Sequence, residues 1–210
     1  TTSQIRIEGA VGKELAVKTW NVQQICVMMS AILNCDLAWY FQADRSVEKF
    51  SADTDIHIIM ENMYKMPNKC IELSDEKCSF LETRIEKACN LAEVNEKFYL
   101  ATNAMWSYRL NFMPAIKISV IWSGIEALFM IDHNIKNTIA TVSSRFIYGN
   151  DDKIEDIKNL YKEARCKATH EYQNGTYDLY KKSNELLYKL ILKCIDEGHT
   201  PDVNYILTIF

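Results

Sequence analysis

The stretch Ile116-Lys117-Ile118-Ser119-Val120-Ile121-Trp122-Ser123-Gly124-Ile125-Glu126-Ala127-Leu128-Phe129-Met130 is apolar almost all the way round a helical wheel. A helix of that kind is stable in a globular protein when other elements cover every side of it. It is too short to span a bilayer, and Glu126 sits inside it. The stretch therefore predicts a helix buried in the middle of a bundle.

The flanking sequence supplies its neighbours. Val94, Phe98, Ala101, Met105, Tyr108 and Phe112 recur at helical spacing and read as one helix closed by Pro114. Before it, Ser74 can cap a helix with a core face of Cys78, Leu81, Ile85 and Ala88. After the central stretch, Ile139, Val142 and Phe146 mark a shorter helix that Gly149 can end. Asp151 or Asp152 can cap the next, whose buried face is Ile154, Ile157, Leu160, Tyr161, Ala164 and Ala168. Beyond Gly175 a last helix carries Leu179, Leu186, Leu187, Leu190, Ile191 and Cys194, and stops near Gly198. Short connections between long periodic segments point to antiparallel helices.

The first part of the chain is less regular. Residues 3–8 alternate through Ile5 and Ile7 and read as a short strand. A helical pattern runs from about Glu14 to Leu33, and Leu37 to Phe41 and Asp55 to Met60 are β-capable. The expected organisation is a mixed α and β extension over 1–90, a helical bundle over 91–198, and a tail over 199–210. The fold class is mainly α. Only three prolines and six glycines interrupt the 210 residues, which suits long helices better than a many-turned sandwich.

Charge narrows the function. A net charge of −4 argues against a protein that coats nucleic acid through a broad basic surface, yet permits a local grip on one or two phosphates. Seven cysteines without close pairs, and only four histidines, fit neither a zinc site nor a disulfide framework. Free thiols in a reducing, cytoplasmic setting are the plain reading. Thr1 to Arg6 lack the pattern of a signal peptide, and the missing initiator methionine leaves room for a longer parent chain. No Gly-rich phosphate loop, H-E-x-x-H or G-x-S-x-G motif occurs, so no nucleotide or metal cofactor is expected.

The chemistry concentrates in Arg165-Cys166-Lys167-Ala168-Thr169-His170-Glu171-Tyr172. A guanidinium grips phosphate oxygens through paired hydrogen bonds and keeps its charge. An imidazole titrates near neutrality and can move protons. Together they suffice to cleave RNA, because the substrate's 2′-hydroxyl is the nucleophile and no metal is required. By chance alone, such a pair is usually solvated surface.

Four segments in order make the pair more specific: Trp122 with Ile125 to Phe129; Ser144 to Ile147; Asn159-Leu160-Tyr161; and Arg165 to His170. In these the chain resembles the HEPN superfamily, and within it the ApeA-like branch linked to phage defence, over about residues 95–195. His170-Glu171-Tyr172 also fits the extended signature R-xxxx-H-x-Y. The resemblance implies a HEPN-type helical bundle acting as a homodimer, and a metal-independent endoribonuclease used as a toxin or abortive-infection effector. It implies that Arg165 and His170 are the catalytic pair. It further implies that Tyr172 can be nucleotidylated by a partner antitoxin; an interface or core tyrosine is the alternative. Cys166 departs from members that place a polar residue after the arginine.

Glu126, Arg145, Thr169 and Tyr172 are the supporting candidates. Glu126 needs a partner in its apolar helix. Arg165 or Arg145 could supply it, to orient the site or as a structural ion pair. His57, His133 and His199 read as loop or surface histidines, and Trp39, Tyr40 and Phe41 as core or strand rather than base-stacking residues. On a straight helix Arg165 and His170 would differ by about 140°. A two-fold axis would let each phosphate see both chains, whereas a kinked helix end would let one chain assemble the site. The rival functions are a non-catalytic helical module that binds nucleotide or protein partners, and a fragment of a larger defence effector.

Overall fold

The structure, a computed structural model, describes residues 4–35, 37, 41–58, 72–170 and 177–209, the side chains of Ile58, Thr169 and His170 excepted. It is mainly helical. The helices are α1 (Gly12–Ile32), α2 (Asp75–Val94), α3 (Glu96–Ser107), α4 (Pro114–Phe129), α5 (Ile135–Tyr148), α6 (Ile154–Leu160), α7 (Lys167–His170), α8 (Tyr177–Glu197) and α9 (Val203–Thr208). Among the described residues one antiparallel hairpin, β1 (Phe41–Ala43) with β2 (Ile56–Ile58), pairs Phe41 with Ile58, Gln42 with His57 and Ala43 with Ile56. Among the described residues no helix is long and apolar enough to cross a membrane.

The central position expected of α4 is where it lies. Ile118, Ile121, Trp122, Ile125 and Leu128 have no solvent exposure, and α4 packs most heavily on α3 and α8. Its contact with α3 is close enough to require a glycine. A Cβ built on Gly124 would lie 2.6 Å from the Cβ of Ala104. Alanine in place of a helical glycine normally stabilises by about 1 kcal/mol. At Gly124 the overlap should reverse the sign: Gly124→Ala is expected to lose about 1–2 kcal/mol, read as a lower midpoint in urea.

Helix ends follow local chemistry. Ser74 Oγ accepts from Lys77 N at 3.4 Å and opens α2 as expected. Gly149, at φ 71°, closes α5, and Gly198, at φ 76°, follows α8. Three boundaries differ from the sequence reading. Asn95 is extended and its Oδ1 accepts from Phe98 N at 3.0 Å, so it ends α2 and begins α3. Val94 consequently belongs to α2 and is 81% exposed, and Phe112 lies beyond α3 and is half exposed, leaving Phe98, Ala101, Met105 and Tyr108 as the buried stripe. Pro114 opens α4 rather than closing α3, because a first-turn proline sacrifices no helical hydrogen bond. Neither Asp151 nor Asp152 caps α6; Lys153 takes that place, while the Asp151 carboxylate is held by Arg145.

The ends of the chain also differ. Residues 4–8 form no strand: Gln4 instead donates to Glu48 Oε1 at 2.6 Å and accepts from Val47 N at 3.0 Å. A strand needs a backbone ladder, and the side chain has taken the contact. The helices of the first ninety residues join the same core as the bundle, through Val27, Met28, Ala31 and Ile32 of α1 and Leu81, Ala88 and Leu91 of α2. Residues 199–210 include the helix α9, not only a tail. Asp202 caps it by accepting from Tyr205 N at 3.0 Å, and Ile206 is buried where α9 meets α5.

Candidate active site at the Glu126–Arg165 pair

Helix α6 does not continue evenly into α7. Between them Tyr161–Cys166 forms a π-helical turn. Such turns bond residue i to i+5, hold more residues than an α-turn, and are common at functional sites. The turn keeps Tyr161 and Ala164 buried and places Arg165 at the rim of the core. An uninterrupted 3.6-residue period, on which the 140° offset of Arg165 and His170 rests, therefore does not run through Arg165.

Glu126 meets this turn from α4. Its Oε1 accepts the Nε–H of Arg165 at 2.9 Å and the hydroxyl of Tyr161 at 3.3 Å. The two ion-paired side chains are each about a quarter exposed, so the pair is shielded from bulk water but not sealed from it. Burial alone would lower the Arg165 pKa, but the hydrogen bond and charge of Glu126 outweigh it and hold the guanidinium above its ordinary value. For Tyr161, burial and then the Glu126 charge push the phenol up to about 12. Tyr161 thus stays a neutral hydrogen-bond donor across any ordinary pH.

A second layer braces these groups. The rings of Trp122 and Tyr161 meet edge to face with centroids 5.1 Å apart. Trp122 Nε1 donates to Ser183 Oγ at 3.1 Å, which links α4 to α8. Both Trp122 and Ser183 are wholly buried, so this hydrogen bond has no competition from water. The Arg165 Cζ lies 5.8 Å from the Tyr161 ring centre, within cation–π range.

Of the residues expected at the site, Glu126 and Arg165 are brought together. Arg145 is not part of this group. Its Nε and Nη2 reach the two oxygens of Asp151, at 2.6 and 3.1 Å, and its Nη1 donates to the Ile206 carbonyl at 3.3 Å. It pins the α5–α6 turn to α9, and the choice of partner for Glu126 falls to Arg165. His170 is the last residue of α7, with Thr169 before it; their side chains, and Tyr172 altogether, lie outside the described residues. His57, His133 and His199 are exposed, as expected. Phe41 packs against Phe50, whereas Trp39 and Tyr40 lie outside the described residues.

Comparison of the chain with protein-family models, curated proteins and solved structures returns no match.

Two polar features were not singled out from sequence. Tyr161 reads there as a core position and as part of the Asn159-Leu160-Tyr161 segment, with no hydrogen-bonding role at the site. Arg109 lies in a short 3-10 turn and is 6% exposed. It donates to the Leu37 carbonyl at 2.8 Å and to Tyr188 Oη at 3.1 Å, and Tyr188 Oη lies 2.7 Å from Tyr108 Oη. That network ties the start of the chain to α8; no local pattern in the sequence announces it. Among the described residues no three His, Cys, Asp or Glu side chains gather as a metal site would require.

Proposed function

We propose that the chain is a metal-independent endoribonuclease of the HEPN type, acting in the cytoplasm of a prokaryote in phage defence or as a toxin. The observation that carries the proposal is the seating of Arg165. The first residue of the R-xxxx-H signature is a charged guanidinium at the core's rim, fixed by a carboxylate from the central helix. A cation held in place at a partly open rim is what stabilising charge on a phosphoryl group requires.

In the proposed reaction the ribose 2′-hydroxyl attacks the adjacent phosphorus, and the bond from phosphorus to the 5′-oxygen breaks. The proton leaves the 2′-oxygen and one is delivered to the departing 5′-oxygen, with His170 serving as the proton carrier. Arg165 offsets the charge that grows on the phosphoryl oxygens. Glu126 does not touch substrate; it orients the arginine. The products are a 2′,3′-cyclic phosphate and a 5′-hydroxyl. The working unit is proposed to be a homodimer, with Tyr172 open to nucleotidylation by a partner antitoxin.

The test is incubation of the purified chain with transfer RNA and total RNA in excess EDTA, followed by mapping of the new ends. Cleavage with 2′,3′-cyclic phosphate ends is expected, undiminished by the chelator. Activity that disappears in EDTA and returns only with added metal would defeat the mechanism. RNA or nucleotide binding without cleavage would point to the non-catalytic module instead.

A further inference from the structure

We infer that Tyr161 is a positioning residue for Arg165, acting through the oxygen of Glu126 that both side chains share. The inference rests on the proposed ribonuclease reading for its catalytic consequence, but its physical content stands apart from that reading. A glutamate on a helix has several staggered rotamers, and a single donor on one oxygen leaves the carboxylate able to turn about its side-chain bonds. A second donor on the same Oε1 removes that freedom. Tyr161 is well suited to be that donor, because it cannot itself wander. It is 7% exposed, its ring is braced edge to face on wholly buried Trp122, and its hydroxyl reaches Glu126 at 3.3 Å. Its ring lies close to the guanidinium it helps to aim, 5.8 Å from centre to Cζ.

The π-helical turn gives the arrangement its geometry. Tyr161 and Arg165 stand near opposite ends of one wide turn, and both are directed at a single carboxylate on α4. The turn, the phenol and the carboxylate thereby form one unit. Without the hydroxyl, the ring packing survives and Arg165 keeps its ion pair, but the carboxylate regains its rotational freedom. The cost should fall on the step in which the arginine must sit on a transition state, since small misplacements there reduce rates steeply.

The decisive variant is Tyr161→Phe, with two readouts. The first is nitrogen-15 NMR of the Arg165 Nε–H, assigned by its loss in Arg165→Lys. In the wild type this proton should exchange slowly with water, and in Tyr161→Phe at least about tenfold faster. Unchanged exchange in a folded Tyr161→Phe overturns the inference. In the wild type the Tyr161 hydroxyl proton should also show an Overhauser effect to the Arg165 Nε proton. Its absence overturns the inference even where the variant does not fold. The second readout is cleavage. Tyr161→Phe is expected to lower kcat about tenfold with KM little changed. In a Glu126→Gln background the further loss should be small, because the two residues act as one unit. Full additivity there would overturn the shared-oxygen route. A wild type that cleaves no RNA would end the ribonuclease reading while the exchange measurement still decides the positioning.

Discussion

If the chain is the ribonuclease we propose, Arg165→Ala is expected to lower RNA cleavage by about a thousandfold or more, with substrate binding much less affected. Loss of a single preorganised donor to a developing oxyanion commonly costs about 100- to 1000-fold, and here a full charge leaves with it. His170→Ala should cost about 100- to 10,000-fold through loss of proton transfer. For Arg165 the structure adds a consequence for stability. Removing Arg165 strips Glu126 of its ion-pair partner, and among the described residues Tyr161 is then left as the donor to a carboxylate that is a quarter exposed. Water can reach it at that exposure, so the stability loss should be about 1 kcal/mol and the protein should remain folded. Steady-state cleavage beside circular dichroism and a thermal melt checks both statements. Variants that are folded and fully active would remove Arg165 and His170 from the chemistry.

The largest effect on stability is expected from Trp122→Ala. Its side chain has no solvent exposure, packs against Tyr161, and donates to Ser183 across to α8. Truncating a buried tryptophan costs about 3–5 kcal/mol through lost transfer energy and the cavity left behind. Domains of this kind have about 5–15 kcal/mol in total, so about a fifth or more of the stability would go. For a chain of 210 residues that corresponds to a fall in Tm of about 6–20 °C. Trp122→Phe fills most of the space but cannot donate, and should lie between the two. Calorimetry on the three proteins gives the ranking; a Trp122→Ala melt within about 2 °C of wild type would contradict the packing described.

The features legible in the sequence are those that depend on one element at a time. An all-round apolar segment implies a central helix, and α4 is one; a serine before a periodic run implies a cap, and Ser74 is one. Glu126 within that apolar segment implies a partner, and the partner exists. What was hidden depends on two elements meeting. Whether Glu126 takes Arg145 or Arg165 cannot be read from spacing, because the answer turns on Asp151 claiming Arg145 first in space. The burial pattern Ile157, Tyr161, Ala164 and Ala168 has ordinary helical intervals, so it conceals the π-helical turn that lies across it. Asn95 ends one helix and begins the next with no glycine or proline to advertise the break.

The wide turn at Tyr161–Cys166 has a bearing on how this site tolerates insertions and deletions. Most substitutions on a helix change one side chain and leave its neighbours facing as before. The loss or gain of a residue is different, because each residue of an α-helix carries about 100° of rotation. A π-helical turn is a place where an α-helix has absorbed surplus length without unwinding the segments on either side. The direction of Arg165 is consequently set by residue count as much as by residue identity. A single deletion within the turn would leave the composition of the site intact and yet swing the arginine away from Glu126, whereas the same deletion in a surface loop would pass unnoticed.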